Sequence, residues 1–111
     1  MISRMSHATI YVLDQEKAKT FYVDRLGLEV RTDQSMENGF RWLTVGSKEQ
    51  PDLEISLVSA NPGTMFDEET AAQIRSLLEK GVLGSGVFET ADCRQAYREL
   101  KAKGVDFRSG P

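Results

Sequence analysis

The chain has 111 residues, of which 40% are hydrophobic and 28% charged, and its formal net charge is −3. These values predict one globular domain, and because basic residues are scattered among acidic ones they exclude a basic surface for nucleic acid. No stretch is apolar enough to span a bilayer and no export signal begins the chain, so we expect a cytoplasmic protein without membrane partners. The one cysteine, Cys93, lies on an apolar helix face and is expected to be a buried thiol.

The first half of the chain predicts a β-α-β-β-β unit. Residues 4–13 alternate as a strand, with His7, Thr9 and Tyr11 on one face and aliphatic residues on the other. Asp14 is placed to cap a helix that Gly27 ends. Three strands are predicted at residues 28–32, 40–45 and 53–58. The charged side chains of Arg31 and Asp33 are expected on the solvated surface.

The second half predicts a partial copy of this unit. Residues 61–81 form a connector with one amphipathic helix. A strand at residues 82–91, a helix at 94–103 and the start of a strand at 105–108 follow. We therefore divide the single domain, residues 1–111, into a first module (1–60), a connector (61–81) and a partial second module (82–111).

An internal repeat links the two halves. The first copy reads HATIYVLD from His7 to Asp14, and the second reads SGVFETAD from Ser85 to Asp92, 78 residues further on. Each copy ends in an aspartate that precedes a helical pattern. Two units of one design predict a pseudo-symmetric domain, with helices in like environments and a site between the halves.

Several of these features resemble the glyoxalase / bleomycin-resistance / extradiol dioxygenase superfamily, the vicinal oxygen chelate proteins. The features are the strand beginning at His7, the Asp14-capped helix, the run FYVDRLGLEV from Phe21 to Val30, and the later segment LEI from Leu53 to Ile55. The resemblance covers essentially the whole chain. It implies an α+β fold in which two β-α-β-β-β modules form an open barrel-like mixed sheet around a cavity, with the second module incomplete in this chain.

The resemblance also implies metal-ligand positions. His7 and Glu54 fall on the two positions of the first module, Ser85 falls on a third position where the family frequently has histidine, and the fourth belongs to a strand that the pattern places beyond this chain. Imidazole and carboxylate suit Zn, Ni, Mn or Fe, but two ligands hold an ion poorly, so the cofactor is a divalent metal or none. A lone histidine in a strand is more commonly structural, and that alternative stays open.

Candidate substrate-binding residues are Thr9, Tyr11, Trp42 and Ser85. Thr9 and Tyr11 share the strand face of His7, and their hydroxyls could contact a ligand. Phe40 and Trp42 alternate with Arg41, so either an aromatic wall or a charged rim could line the cavity.

Three classes of function remain at this point. One is a metal-dependent enzyme of lyase or dioxygenase type acting on a small oxygen-bearing substrate, with Glu54 as a catalytic residue that binds the metal or moves a proton. Another is a metal-free protein that sequesters an aromatic or planar small molecule, as drug-resistance members of the family do. The third is a structural module without a ligand. Unpaired strand edges in the partial module predict a homodimer.

Overall fold

A four-stranded mixed sheet forms the centre of the molecule, and the computed structural model describes all residues 1–111. The strands are β1 (His7–Val12), β2 (Glu29–Ser35), β3 (Arg41–Gly46) and β4 (Glu54–Ser59), in the order β1-β4-β3-β2. β1 runs parallel to β4, and the other neighbours are antiparallel. The helices are α1 (Gln15–Thr20), α2 (Glu68–Glu79) and α3 (Cys93–Ala102). The predicted mixed α+β class and the β-α-β-β-β order of the first module are confirmed, and the sheet is open rather than closed into a barrel.

Helix α1 and the π-helical turn that follows it together span the helix that the sequence indicated. The Asp14 carboxylate accepts a hydrogen bond from the Lys17 backbone N–H at 3.1 Å, which satisfies one of the free donors of the first turn. The helix continues into a π-helical turn, Phe21–Arg25. It then stops at Gly27, whose φ of 79° is a left-handed conformation that side chains disfavour.

The hydrophobic core lies between the sheet and α1. Its buried members alternate along the strands: Ile10, Leu43, Val45, Ile55 and Leu57. Side chains of the α1 segment, including Ala18, Tyr22 and Val23, pack against this cluster. Because neighbouring strand residues point to opposite faces, the residues between these core positions form a second face that α1 does not cover. We call this second face, with His7, Thr9, Tyr11, Trp42, Thr44, Glu54 and Ser56, the open face.

The ladder between β3 and β4 is the shortest of the sheet. β1 pairs with β4 over six residues and β2 pairs with β3 over nearly their full length, but β3 meets β4 only at Thr44–Ser56 and Val45–Ile55. The sheet therefore consists of two ribbons, β1/β4 and β2/β3, that share a short ladder at Thr44 and Val45.

An ion-pair cluster ties α1 to the β2/β3 ribbon. The Asp33 carboxylate accepts hydrogen bonds from Arg41 at 2.8 and 2.9 Å and from Lys19 at 2.9 Å, and Arg41 also pairs with Glu16 at 2.6 Å. These partners hold the pKa of Asp33 well below its usual range, and Asp33 in turn raises the pKa of Arg41. Asp33 is thus exposed, as the sequence suggested, and its ion pairs also join α1 to the β2/β3 ribbon.

The second half departs from the predicted repeat. Residues 82–91 and 105–108 form no strands, because an extended segment becomes a strand only where another strand supplies partners for its backbone groups. α3 has the predicted ends, since Asp92 accepts from the Gln95 N–H at 3.0 Å and Gly104 has a φ of 89°. However, α3 contributes no residue to the core cluster, against which Ala18 of α1 packs, and Cys93 is exposed rather than buried. The predicted like environments of α1 and α3 are therefore not found.

The helices of the structure are short. The longest helix, α2, has 12 residues. No helix of the structure combines the length and the apolar character needed to cross a bilayer.

Candidate functional site

An aromatic cluster occupies one end of the open face. The His7 and Trp42 rings meet edge to face, with centroids 6.2 Å apart, and Phe40 meets Trp42 in the same way at 6.0 Å. His7 lies on β1 and Trp42 on β3, so the indole reaches across β4, which separates these strands by about 10 Å. The indole remains 40% exposed. The sequence left open whether an aromatic wall or a charged rim lines the cavity. In the structure the aromatic side chains of Phe40 and Trp42 lie on the open face, and Arg41 lies on the α1 side.

A chain of polar groups runs beside these rings. His7 is directly opposite Glu54 in the parallel ladder, and its Nε2 lies 3.4 Å from Glu54 Oε2. Thr44 Oγ1 donates to Glu54 Oε1 at 2.7 Å, and Ser6 Oγ lies 2.9 Å from His7 Nδ1. In the tautomer with its hydrogen on Nε2, the imidazole donates toward Glu54 and accepts from the Ser6 hydroxyl at Nδ1. The carboxylate therefore stands at the edge of the aromatic cluster with accepting capacity left on both oxygens.

The other end of the open face holds a second aromatic pair. The Tyr11 ring meets Phe66, from the loop before α2, edge to face at 5.6 Å. Tyr11 lies four residues along β1 from His7, about 13 Å away. Thr9 and Ser56, which are opposite each other in the ladder, place their side chains between the two aromatic groups. The open face is thus a polar floor between two aromatic ends. Phe66 was missed from the sequence, where it is simply an apolar residue before a helix cap.

Ser85 lies on the other side of the sheet. Its side chain faces Tyr22, which packs on the core from the α1 segment. Burial raises the pKa of the Tyr22 hydroxyl, and the Ser85 hydroxyl opposes that effect. The structure therefore brings together five of the six residues singled out from the sequence (His7, Thr9, Tyr11, Trp42 and Glu54) and leaves Ser85 apart from them.

The open face of a single chain carries too few ligand side chains to hold a metal ion. A structural or catalytic site for Zn²⁺ requires at least three protein ligands. His7 and Glu54 are adjacent, but no group of three or more His, Cys, Asp and Glu side chains in the structure could hold an ion. Ser85, the third position implied by the family pattern, is directed to Tyr22 instead. The residues present thus supply two donors of a metal site.

A separate cleft of about 1050 Å³ opens between α3 and the end of the π-helical turn. Its walls include Leu26 and Leu28 on one side and Phe88, Tyr97 and Leu100 on the other. None of the open-face residues lines it. The apolar face of α3 contributes Tyr97 and Leu100 to this cleft.

Comparison with known proteins agrees with this architecture. The family model for the Glyoxalase/Bleomycin resistance protein/Dioxygenase superfamily matches residues 4–111. An uncharacterised protein of Bacillus subtilis (strain 168), YurT, is 31% identical over 103 residues, which are 93% of this chain and 76% of that protein. The chain belongs to the Glyoxalase/Bleomycin resistance protein/Dioxygenase superfamily.

Two solved structures extend the comparison. The crystal structure of UcmS2 is 46% identical, with a TM-score of 0.93, and the match covers 100% of this chain and 82% of that one. TnmS3, an antibiotic binding protein from Streptomyces sp. CB03234, is 30% identical, with a TM-score of 0.68, over 95% of this chain and 74% of that one.

Proposed function

We propose that the protein is a metal-free binding protein that sequesters a planar aromatic small molecule on the open face. The observation that carries this proposal is the exposed indole of Trp42, supported edge-on by His7 and Phe40 and adjoining the Glu54 carboxylate. Similarity to an antibiotic binding protein supports the same class of ligand, a drug-like small molecule.

The chemistry of the face defines the ligand that we propose. An exposed aromatic ring binds a flat ring system by stacking, which contributes about 1–3 kcal/mol. Glu54 accepts hydrogen bonds and carries a negative charge, so it favours a donor or a cationic nitrogen at the edge of that ring system. Thr9 and Ser56 supply hydroxyls beneath it. We therefore propose a planar aromatic ligand whose donor edge faces Glu54.

A metal-dependent lyase or dioxygenase is the second candidate function. The observation that favours it is the contact between His7 and Glu54, two side chains suited to Zn, Ni, Mn or Fe. In such an enzyme Glu54 would bind the ion or move a proton. This candidate needs a further donor, which the open face of one chain does not provide.

A titration of chelator-treated protein tests the choice between these functions. We expect proflavine, a planar three-ring cation, to quench the fluorescence of Trp42, the one tryptophan, equally well with EDTA and with added Zn²⁺, Ni²⁺, Mn²⁺ or Fe²⁺. His7→Ala and Glu54→Ala serve as matched variants. Stoichiometric metal in the wild type that both variants lose, together with quenching that requires the ion, would instead establish the metal-dependent candidate.

We propose that the protein forms a homodimer through its unpaired segments. Val82, Val87 and Phe88 are exposed to 63%, 99% and 53%, on an extended stretch without a strand partner. β1 is an edge strand of the sheet, so one of its sides is free to pair. In the dimer, this stretch of one protomer would pair with β1 of its partner, so that the backbone groups of both segments form hydrogen bonds. The pairing would also bring Ser85 of one protomer toward the open face of the other.

Sedimentation velocity at micromolar concentration tests the dimer. We expect the wild type to sediment as a dimer and Phe88→Asp to sediment as a monomer, because a charge on this side chain would be buried at the interface. Arg98→Asp, on the exposed side of α3, is the control and should remain a dimer. A monomeric wild type would contradict the proposal.

We also propose the cytoplasm as the compartment. Cys93 is the one cysteine and is exposed, and an unpaired exposed thiol is typical of reducing compartments. Recovery of the protein in the secreted or periplasmic fraction of its cells would contradict this.

A further inference from the structure

The hairpin between β2 and β3 turns through Asn38 and Gly39, and both residues are exposed. The Gly39 N–H donates to the Met36 carbonyl at 3.0 Å, which closes the turn. Apart from the neighbouring residues of the chain, no atom lies within 4 Å of the position where a Cβ of Gly39 would stand. The bond between Asn38 and Gly39 is therefore open to water and free of crowding by the rest of the molecule.

The Asn38 side chain is held against the backbone that follows it. Its Oδ1 accepts a hydrogen bond from the Phe40 N–H at 3.0 Å. This oxygen gains negative charge when a nucleophile adds to the Cγ of the side chain, so the Phe40 N–H is placed to stabilise the resulting tetrahedral intermediate. The Gly39 nitrogen is such a nucleophile, since it reaches Cγ by closing a ring within one residue and glycine has no Cβ to crowd that ring.

We propose that Asn38 is a site of covalent modification, where the side-chain amide forms a succinimide with the backbone and then opens to isoaspartate. In the first step the Gly39 nitrogen bonds to Cγ and loses its proton, and the amide nitrogen takes up a proton and leaves as ammonia. Closure breaks the hydrogen bond to Met36, which water replaces at this exposed turn. In the second step water adds to one of the two ring carbonyls, which yields aspartate or isoaspartate.

The chain contains its own control for this chemistry. Asn38 and Asn61 are the two asparagines, and Asn61 is followed by Pro62. A proline nitrogen carries no hydrogen, so it cannot lose a proton to form the neutral ring. No aspartate in the sequence precedes a glycine. Isoaspartate formed through a glycine neighbour must therefore come from Asn38.

Isoaspartate at position 38 would act on the aromatic cluster through Phe40. It reroutes the backbone through the former side chain, so the turn gains a methylene group and the Phe40 N–H loses its acceptor. The Phe40 carbonyl also accepts from the Met36 N–H at 2.7 Å across the same turn. Because the Phe40 ring meets the Trp42 indole edge to face, a displaced Phe40 no longer supports the indole. Only the effect on ligand affinity rests on the proposed function.

Incubation of the folded protein in mildly alkaline buffer tests the modification. An isoaspartate-specific carboxyl methyltransferase with labelled S-adenosylmethionine measures the product, and mass spectrometry of the tryptic peptide 32–41 locates it. We expect methyl incorporation to rise with time in the wild type and in Asn61→Gln, and to stay at background in Asn38→Gln, whose longer side chain has to close a larger ring. No incorporation in the folded wild type, incorporation only after unfolding in urea, or equal incorporation in Asn38→Gln would overturn the proposal.

Trp42 emission and a proflavine titration measure the consequence. We expect the incubated wild type to show altered Trp42 emission and about two- to tenfold weaker proflavine binding, the loss typical of one aromatic contact, while incubated Asn38→Gln changes in neither. Isoaspartate with unchanged emission would overturn the link to the aromatic cluster. A fresh wild type that binds no proflavine would contradict the proposed function, whereas methyl incorporation would still decide the modification of Asn38.

Discussion

Trp42→Ala is expected to weaken binding of proflavine by about 30-fold, or roughly 2 kcal/mol, the loss typical of a central aromatic contact. The indole is the largest exposed aromatic surface on the open face, and alanine would leave the His7 and Phe40 edges without a stacking platform between them. Isothermal titration calorimetry measures the affinity without depending on the lost fluorophore. Because the indole is 40% exposed, the free energy of unfolding should change by less than about 1 kcal/mol.

Trp42→Phe is the matched variant for this prediction. A phenyl ring keeps a smaller stacking surface, so its affinity should lie between those of the wild type and the alanine variant. Equal affinities in all three proteins would show that the ligand binds elsewhere, and the cleft beside α3 would then be the next site to examine.

Leu57→Ala is expected to lower the free energy of unfolding by about 2–5 kcal/mol. Leu57 is fully buried, at 0% exposure, in the core cluster between the sheet and α1, so alanine leaves a cavity there. For a protein of this size such a loss is a large share of the total stability. Urea denaturation followed by circular dichroism measures it.

Leu77→Ala provides the comparison for Leu57→Ala. Leu77 is 39% exposed on α2, outside the core cluster, and we expect its loss to cost under about 1 kcal/mol. Similar losses for both variants would contradict the assignment of the core to the face of the sheet that α1 covers.

The first module could be predicted because its signals are local. The alternation along β1 places Ile10 in the core and His7 on the opposite face, and this follows from strand geometry alone. Asp14 and Gly27 mark the helix ends because their conformational preferences act within one turn. The contact between His7 and Glu54 followed from the family resemblance, which aligned two strands that the sequence alone could not pair.

The second half could not be predicted in the same way, because its strands depend on distant partners. Residues 82–91 have the alternation of a strand, but backbone pairing requires a neighbour, and none lies beside them. Cys93 is exposed, and Ser85 bonds to Tyr22 instead of reaching the open face. The local sequence pattern therefore predicted the ends of α3 correctly, but it predicted the packing around α3 wrongly.

Side-chain contacts between different helices, strands and loops could not be predicted from the sequence either. Asp33 and Arg31 look like ordinary surface charges, yet Asp33 joins Lys19 to Arg41, and Arg31 donates to the Ser47 carbonyl at 2.7 Å. Gln15 likewise has no sequence signal for its hydrogen bonds to carbonyls of β3 and β4. Such contacts arise only when the elements pack, since the partners are up to 42 residues apart in the chain.

The central claim is that a planar ligand binds on the open face without a metal ion. The most direct measurement is an NMR experiment on EDTA-treated protein with bound proflavine, which detects nuclear Overhauser contacts between ligand and protein protons. We expect contacts from the ligand rings to the Trp42 indole and the His7 imidazole. Contacts to Phe88, Tyr97 and Leu100 in the α3 cleft instead, or no binding until a divalent ion is added, would contradict it.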